Sequence, residues 1–374
     1  MAEMTTGGMT TGGMTPGRMP WWAWAWPLVA WGVLLATFAI GKGTVLIAAA
    51  AIVLIATVFS AVYHAELVAH RIGEPFGTLV LALSVTVIEV ALIVSVMIGG
   101  GPDGEALARD TVFAAVMIIL NGLVGLSLLI GGARHHEQGF QAQGASAALA
   151  VLTALMALSL VLPNFTTSAA GPEFSVSQLA FAGIMSLVLY CTFVFIQTVR
   201  HRDYFLSEED PDGSLEIHAP RPTATAALTS AGLLLVALVA VVALAKVLTP
   251  SIRAGVAGAG APDAVVGIVI AAVVLLPEGL AALRAARLNR LQTSMNLALG
   301  SALASIGLTI PAVAAISIIL GTPLALGLGA KDEVLLAVTL FVSLMTLGTG
   351  RTTVLQGVIH LVILAAFLFL AVVP

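Results

Sequence analysis

The chain contains many apolar segments of about twenty residues, and these segments restrict its possible folds more than any other feature. Of its 374 residues, 59% are hydrophobic and only 9% are charged, whereas about 25% are charged in soluble domains. A soluble globule of this composition would expose much of its apolar surface to water. The sequence therefore predicts an all-α membrane protein that has the lipid bilayer as its partner.

A helix of about 20 residues crosses the roughly 30 Å of hydrocarbon in a bilayer. Eleven segments meet this requirement, so we predict a polytopic protein with about 11 transmembrane helices. In chain order they are residues 21–41, 44–70, 76–98, 111–132, 144–163, 176–198, 224–248, 263–287, 293–319, 333–349 and 352–373. Residues 1–20 repeat Met, Thr and Gly, have nothing to bury, and are expected to form a disordered tail.

Basic residues and polar connections predict how these spans are arranged. With the N-terminus in the cytoplasm and the C-terminus outside, ten of the fifteen Lys and Arg residues lie on the cytoplasmic side, as the positive-inside rule requires. The acidic connection at 199–222 separates a first five-helix unit at 44–198 from a second at 223–374, and 21–43 is an extra N-terminal span. Because five is odd, equivalent units must have opposite orientations, which predicts two inverted five-helix repeats.

Two glutamates lie well inside apolar spans. Glu89 is in the middle of the third span and Glu278 is in the eighth, so each belongs to the second helix of its predicted repeat. An acidic residue near the bilayer centre costs about 2.5–3.5 kcal/mol on insertion scales. Because the chain accepts this cost at two matching positions, we interpret both carboxylates as cation- and proton-binding groups.

Neighbouring groups add oxygen ligands of the kind that a hard cation such as Ca²⁺ prefers. Pro277 has no N–H, so the backbone carbonyl of Val273 loses its helical partner, and Gly279 is expected to allow local unwinding. Thr86 lies three residues before Glu89 and shares its helix face. Further polar residues within the spans, which are either ligands or interhelical hydrogen-bonding groups, are Asn121, Ser301 and Ser305.

Secondary candidates lie near span ends and in the acidic connection. Glu66 and Glu74 flank the junction of the second and third spans, where they either form interfacial salt bridges or admit cations and protons. Asn296 lies close to a span end, and His64 and His360 are membrane-placed groups that either form hydrogen bonds or relay protons. The residues that could attract cytosolic Ca²⁺ to a regulatory loop are Glu208, Glu209, Asp210 and Asp212.

Several functions are excluded by the residue types present. The single cysteine, Cys191, rules out a disulfide framework, zinc clusters and iron–sulfur centres. The chain has no basic, aromatic-laced patch for nucleic acid, and no His-Glu-x-x-His or Gly-x-Ser-x-Gly motif of an enzyme. We therefore expect neither an enzyme nor a cofactor, but only transported Ca²⁺, Na⁺ or K⁺, and H⁺.

Several sequence stretches resemble the calcium/proton antiporters of the cation/Ca²⁺ exchanger superfamily, in particular those of the bacterial ChaA type. These stretches are residues 73–78, 85–90, 120–122 with 131–132, 276–282 and 299–311. Most of the chain from about residue 44 onward shares the resemblance. It implies the eleven-span fold in a bacterial inner membrane, exchange of Ca²⁺ or Na⁺ and K⁺ for protons, and central roles for Glu89 and Glu278.

The sequence also departs from the wider calcium/proton exchanger group at both glutamates. That group usually has Gly-Asn-Ala-Thr-Glu at the first site and Gly-Asn-Ala-Ala-Glu at the second, whereas this chain keeps the glutamates, Thr86 and Pro277. Ala304 replaces a glutamine that is common in the group. Fewer amide oxygens make transport of monovalent cations an alternative to Ca²⁺.

The predicted mechanism places Glu89 and Glu278 opposite each other near the bilayer midplane, where they bind either one divalent cation or protons. An empty site would bury two unpaired negative charges, which is costly, so the site would change access only when it holds a cation or protons. This requirement couples cation movement to proton movement. A passive cation channel would use the same acids, and a transporter of a small organic solute is a further alternative.

Overall fold

The protein is described here as a computed structural model that covers residues 19–73, 76–98, 104–206 and 222–373. Nearly all of these residues are helical, which confirms the predicted all-α fold class. Most of the predicted tail at 1–20 and most of the acidic connection at 199–222 lie outside the described residues. The predictions for Glu74, Glu208, Glu209, Asp210 and Asp212 therefore remain predictions.

The helices of the first half, in chain order, are α1 (Trp21–Ile40), α2 (Thr44–Ile72), α3 (Phe76–Ile98), α4 (Gly104–Met117), α5 (Val124–His135), α6 (Ala142–Met156) and α7 (Val176–Phe195). Those of the second half are α8 (Ala224–Gly258), α9 (Ala264–Arg287), α10 (Leu291–Leu320), α11 (Ala330–Leu347) and α12 (Val354–Val372). Three π-helical segments continue α4, α6 and α7, and they are Ile118–Leu123, Ala157–Val161 and Ile196–Arg200. Because the first of these joins α4 to α5, the two helices form one span.

Each of the eleven predicted spans coincides with a helical segment. Within the described residues, nine such segments are long and apolar enough to cross a membrane. The other two predicted spans correspond to α3 and α11. In α3 the apolar stretch among the described residues is short, Leu83–Val94. Helix α11 carries three charged residues in its first turn, Lys331, Asp332 and Glu333. The count of eleven membrane crossings therefore stays a prediction. The predicted boundary of the seventh span is too short, because α8 continues through Pro250 to Gly258.

The buried side chains form two apolar clusters that meet along α3 and α9. The first cluster joins α1, α2 and α8 to one face of α3 and α9, which includes Ile88 and Val274. The second cluster joins α4–α7 and α10–α12 to other positions on the same two helices, which include Ile93 and Leu275. The helices that carry Glu89 and Glu278 therefore lie at the seam between two packed bodies.

Loops of the two halves pair with each other at two places. The two-residue strand β1 (Gln138–Gly139), between α5 and α6, pairs antiparallel with the two-residue strand β2 (Arg351–Thr352), between α11 and α12. A single bridge connects Glu173, before α7, with Ala325, between α10 and α11. If the first and second halves of the chain were exchanged, each of these two pairings would take the position of the other, as inverted repeats predict. The repeat stays a prediction that this pairing supports.

The N-terminal helix α1 packs on α2 through a backbone carbonyl that a proline leaves free. Pro27 has no N–H, so the carbonyl of Ala23 lacks its usual partner within the helix. That carbonyl accepts hydrogen bonds from Ser60 Oγ at 2.5 Å and from His64 Nε2 at 2.9 Å. The structure thus places His64 in the contact between α1 and α2, where it acts as a hydrogen-bond donor.

Helices α5 and α12 approach so closely that their contact requires glycine. A Cβ atom added at Gly357 would lie 2.5 Å from Leu129 N and 2.8 Å from the Gly125 carbonyl oxygen. We expect Gly357→Ala to lower the free energy of unfolding by about 1–3 kcal/mol, because the backbones must separate. The measurement is the thermal unfolding midpoint in detergent.

Gly232→Ala in α8 is the matched control, since a Cβ atom there meets nothing within 4 Å. Alanine also favours helix over glycine by about 1 kcal/mol, so this variant should unfold at the wild-type midpoint or above it. Equal midpoints for the two variants would contradict the close-packing interpretation.

Candidate functional site

Helix α3 presents Glu89 at the seam between the two clusters. The residue is 2% exposed, and neither carboxylate oxygen makes a hydrogen bond to the described residues. The hydroxyl groups of Ser305 and Thr309 on α10 are polar neighbours of this carboxylate, and the Thr309 hydroxyl is itself buried without a partner. Buried polar atoms without partners are costly, so this group of oxygens is suited to holding a proton or a cation.

Helix α9 presents Glu278 from the other side of the seam. Ser301 on α10 donates a hydrogen bond to Glu278 Oε2. Glu278 is half-buried and lies at the same seam as Glu89. Both acids therefore face α10, and each has a hydroxyl group of that helix beside it.

A cavity of about 140 Å³ lies beside Glu278. Residues of α3, α7, α9, α10 and the π-helical segment after α7 line it. Its polar lining includes the predicted site residues Thr86, Glu278, Asn296, Ser301 and Ser305. Glu89 does not line this cavity and lies deeper in the protein. The structure thus brings five of the predicted residues together around one space that is large enough for several water molecules.

Helix α9 does not unwind near Glu278. It runs without interruption from Ala264 to Arg287, with Pro277 inside it, so the expectation of unwinding at Gly279 was wrong. A Cβ atom at Gly279 would lie 2.7 Å from Leu123 Cδ2, which indicates that this glycine permits close packing instead. The Val273 carbonyl still lacks a donor from Pro277, but Val273 does not line the cavity.

The structure places Asn121 in a different polar cluster. Its Nδ2 donates to Thr339 Oγ1 at 2.9 Å, and its Oδ1 accepts from His360 Nδ1 at 3.2 Å. Asn121 and His360 are both fully buried, and neither lines the cavity. These contacts are interhelical hydrogen bonds, as the alternative role for Asn121 predicts, and its role in cation or proton binding stays a prediction.

The other secondary candidates, Glu66 and Asn296, lie on different helices, α2 and α10. Glu66 is exposed on α2 and interacts electrostatically with Glu278. It makes no ion pair with the described residues, and the neighbouring Arg71 donates to the Pro222 carbonyl instead. Asn296 lines the cavity. Both residues therefore remain candidates for conducting cations or protons to Glu278.

Three residues near the acids were missed by the sequence analysis. Tyr190 and Gln197 line the cavity from α7 and from the segment that follows it, and Thr309 neighbours Glu89. Thr309 could have been found, because Ser301, Ser305 and Thr309 recur at intervals of four and share one helix face. Tyr190 and Gln197 lie in an apolar run with no such pattern.

Two acidic side chains within membrane helices, one buried and one half-buried beside hydroxyl groups, are characteristic of ion-transporting membrane proteins. A family model for the sodium/calcium exchanger protein matches residues 42–199 and 229–373. The chain belongs to this sodium/calcium exchanger family and is a multi-pass membrane transporter.

Sequence relatives agree with this assignment. A Sinorhizobium fredii protein, y4hA, which is named only as a candidate ionic transporter, is 51% identical over 359 residues, or 94% of this chain and 96% of the relative. The sodium-potassium/proton antiporter ChaA of Escherichia coli is 38% identical over 316 residues, or 84% of this chain and 85% of ChaA. The resemblance to ChaA-type exchangers is thus confirmed, and these relatives are transporters rather than enzymes.

Solved structures share the fold. Native YfkE superposes with a TM-score of 0.73 at 17% identity, and the match covers 94% of this chain and 100% of YfkE. The H⁺/Ca²⁺ exchanger CAX gives a TM-score of 0.70 at 16% identity, with 93% of this chain and 87% of CAX covered. At these identities the likeness concerns the fold alone.

Proposed function

We propose that this protein is a secondary active antiporter of the bacterial plasma membrane that exports Ca²⁺ in exchange for protons. The observation that carries the proposal is the pair of acids on α3 and α9, the two helices that lie at the seam between the packed clusters. Hydroxyl groups of α10 lie beside both acids. Two carboxylates neutralise one Ca²⁺ or two protons, and carboxylate and hydroxyl oxygens suit a hard cation.

Na⁺ and K⁺ are the second candidate substrates. ChaA, the relative with 38% identity, is named a sodium-potassium/proton antiporter, whereas CAX, which shares the fold, is named an H⁺/Ca²⁺ exchanger. The cavity contains few amide groups, and its remaining lining is largely apolar, as at Val85, Phe193 and Leu297. A site with few amide oxygens favours monovalent cations as the alternative cargo.

Coupling would follow from the cost of leaving both carboxylates bare. A site that holds a cation or protons is close to neutral, whereas the empty site would bury two negative charges in a medium of low dielectric constant. Only occupied forms would therefore change access between the two membrane faces. The seam along α3 and α9 is the boundary along which one packed body would move against the other.

The cavity would be open to the cytoplasm in this conformation. Its lining runs from Glu278 to Gln197, in the segment that ends at Arg200, and to Asn296, near the start of α10, which follows Arg284 and Arg287 of α9. Under the positive-inside rule this arginine-rich end is cytoplasmic. Glu278 would then meet the cytosolic cation first.

The test is the collapse of a preformed pH gradient in everted membrane vesicles after separate addition of Ca²⁺, Na⁺ or K⁺. We expect Ca²⁺ to collapse the gradient at the lowest concentration. A stronger response to Na⁺ or K⁺ would identify the second candidate substrates. Cation flux without proton movement would favour a passive channel, and no response to any cation would favour an organic solute.

A further inference from the structure

The cavity contains two amide side chains in addition to its acid and hydroxyl groups. Gln197 and Asn296 line it together with Glu278. Asn296 lies five residues before Ser301 on α10, which places it about 7.5 Å along the helix axis from the hydroxyl group that binds Glu278. Gln197 lies near the arginine-bearing end of the segment after α7. Both amides are thus displaced from Glu278 toward the same end of the cavity.

Hydrogen bonds fix the orientation of the Asn296 amide. Its Nδ2 donates to the Phe205 carbonyl oxygen at 2.6 Å, and its Oδ1 accepts from Gln292 Nε2 at 3.0 Å. Gln292 is held in turn, because its Oε1 accepts from Gln141 N at 2.7 Å. A carbonyl group only accepts, so the amide nitrogen must face Phe205. Among the described residues, Asn296 Oδ1 accepts only from Gln292, which leaves one of its lone pairs for a ligand.

Gln197 is free to present its own oxygen. It is half-buried, lines the cavity, and makes no side-chain hydrogen bond to any residue that the structure describes. It lies in the π-helical segment Ile196–Arg200, and such segments occur frequently at functional sites. The lining near Gln197 includes apolar Val194 and Leu297, and Asn296 is the other amide of this cavity.

We propose that Gln197 and Asn296 form a neutral dehydration subsite that cations occupy before they reach Glu278. Their two amide oxygens would replace part of the hydration shell of a cation without binding it tightly. Because the attraction between an ion and an oxygen dipole grows with the charge of the ion, the two amide oxygens would offset the dehydration of Ca²⁺ more than that of K⁺, and the subsite would favour Ca²⁺. This inference rests on the proposed antiport function and adds a specificity determinant to it.

The test measures the half-saturating Ca²⁺ and K⁺ concentrations for collapse of the pH gradient in vesicles that contain Gln197→Leu. We expect the half-saturating Ca²⁺ concentration to rise about five- to tenfold, the K⁺ value to rise less, and the maximal rate to stay within about twofold. Gln197→Glu keeps an oxygen ligand and should bind Ca²⁺ at least as well as the wild type. Gln197→Ala serves as a second truncation if the leucine variant does not insert.

Gln143→Leu is the matched control, because Gln143 is exposed at the start of α6 and does not line the cavity. Its half-saturating concentrations should equal those of the wild type. Unchanged Ca²⁺ dependence in both Gln197 truncations would overturn the subsite while leaving the antiport proposal intact. Absence of cation-driven proton flux in the wild type would overturn the antiport proposal itself.

Discussion

Replacing either Glu89 or Glu278 by glutamine is expected to reduce Ca²⁺-driven proton flux by about 100-fold or more. Each replacement keeps the shape of the side chain but removes one of the two negative charges that neutralise the divalent ion. A single remaining carboxylate would leave Ca²⁺ with an uncompensated positive charge inside the membrane, which is costly. The measurement is the initial rate of pH-gradient collapse in everted vesicles that contain equal amounts of inserted protein.

Glu137→Gln is the control for this experiment. Glu137 lies in the loop after α5, and its carboxylate is 3.6 Å from exposed Arg351, a type of surface pair that contributes little to stability. This variant should transport at the wild-type rate. If both intramembrane variants, correctly inserted, also transported normally, the paired-carboxylate mechanism would have to be abandoned.

Below the pH range in which Glu89 and Glu278 titrate, each further decrease of one pH unit is expected to lower the apparent affinity for Ca²⁺ by up to about 100-fold. Protons and Ca²⁺ compete for the same oxygens, and one Ca²⁺ displaces two protons, so acidification weakens Ca²⁺ binding. A monovalent cation that displaces one proton would lose only about tenfold per unit. The half-saturating concentration should be measured between about pH 6 and 9, with each cation separately.

The slope of this pH dependence distinguishes Ca²⁺ from a monovalent substrate, and it distinguishes antiport from passive conduction by a channel. A slope near two for Ca²⁺ supports joint protonation of Glu89 and Glu278, and the Glu137→Gln control should show the same slope. A half-saturating concentration that does not change with pH would mean that protons do not compete for the site, as in a channel that moves cations alone.

The sequence was most informative for polar residues whose placement inside the bilayer costs so much free energy that a functional role is the best explanation. Glu89 and Glu278 could be identified because charge inside a bilayer is costly wherever the helix faces. Ser301 and Ser305 could be named only as candidate site residues, because placing a serine in a membrane helix costs little free energy. The packing of α10 against α3 and α9 determines that these hydroxyl groups face the acids.

Asn121 and Gln197 show why the remaining site could not be predicted. Both lie in π-helical segments, Ile118–Leu123 and Ile196–Arg200. Such a segment changes the 3.6-residue period, so side chains after it face directions that a regular helical pattern does not predict. As a result Asn121 binds Thr339 and His360 rather than facing the cavity, while Gln197 lines it.

The two loop pairings between the halves have a consequence for the energetics of turnover. β1 with β2, and Glu173 with Ala325, join loops next to helices of the second cluster, and neither pairing involves α1, α2 or α8. Displacement of those three helices would therefore leave both backbone pairings intact and exchange only side-chain contacts along α3 and α9. The barrier to such a motion would therefore come from the side-chain contacts along α3 and α9 rather than from the backbone hydrogen bonds of these two pairings.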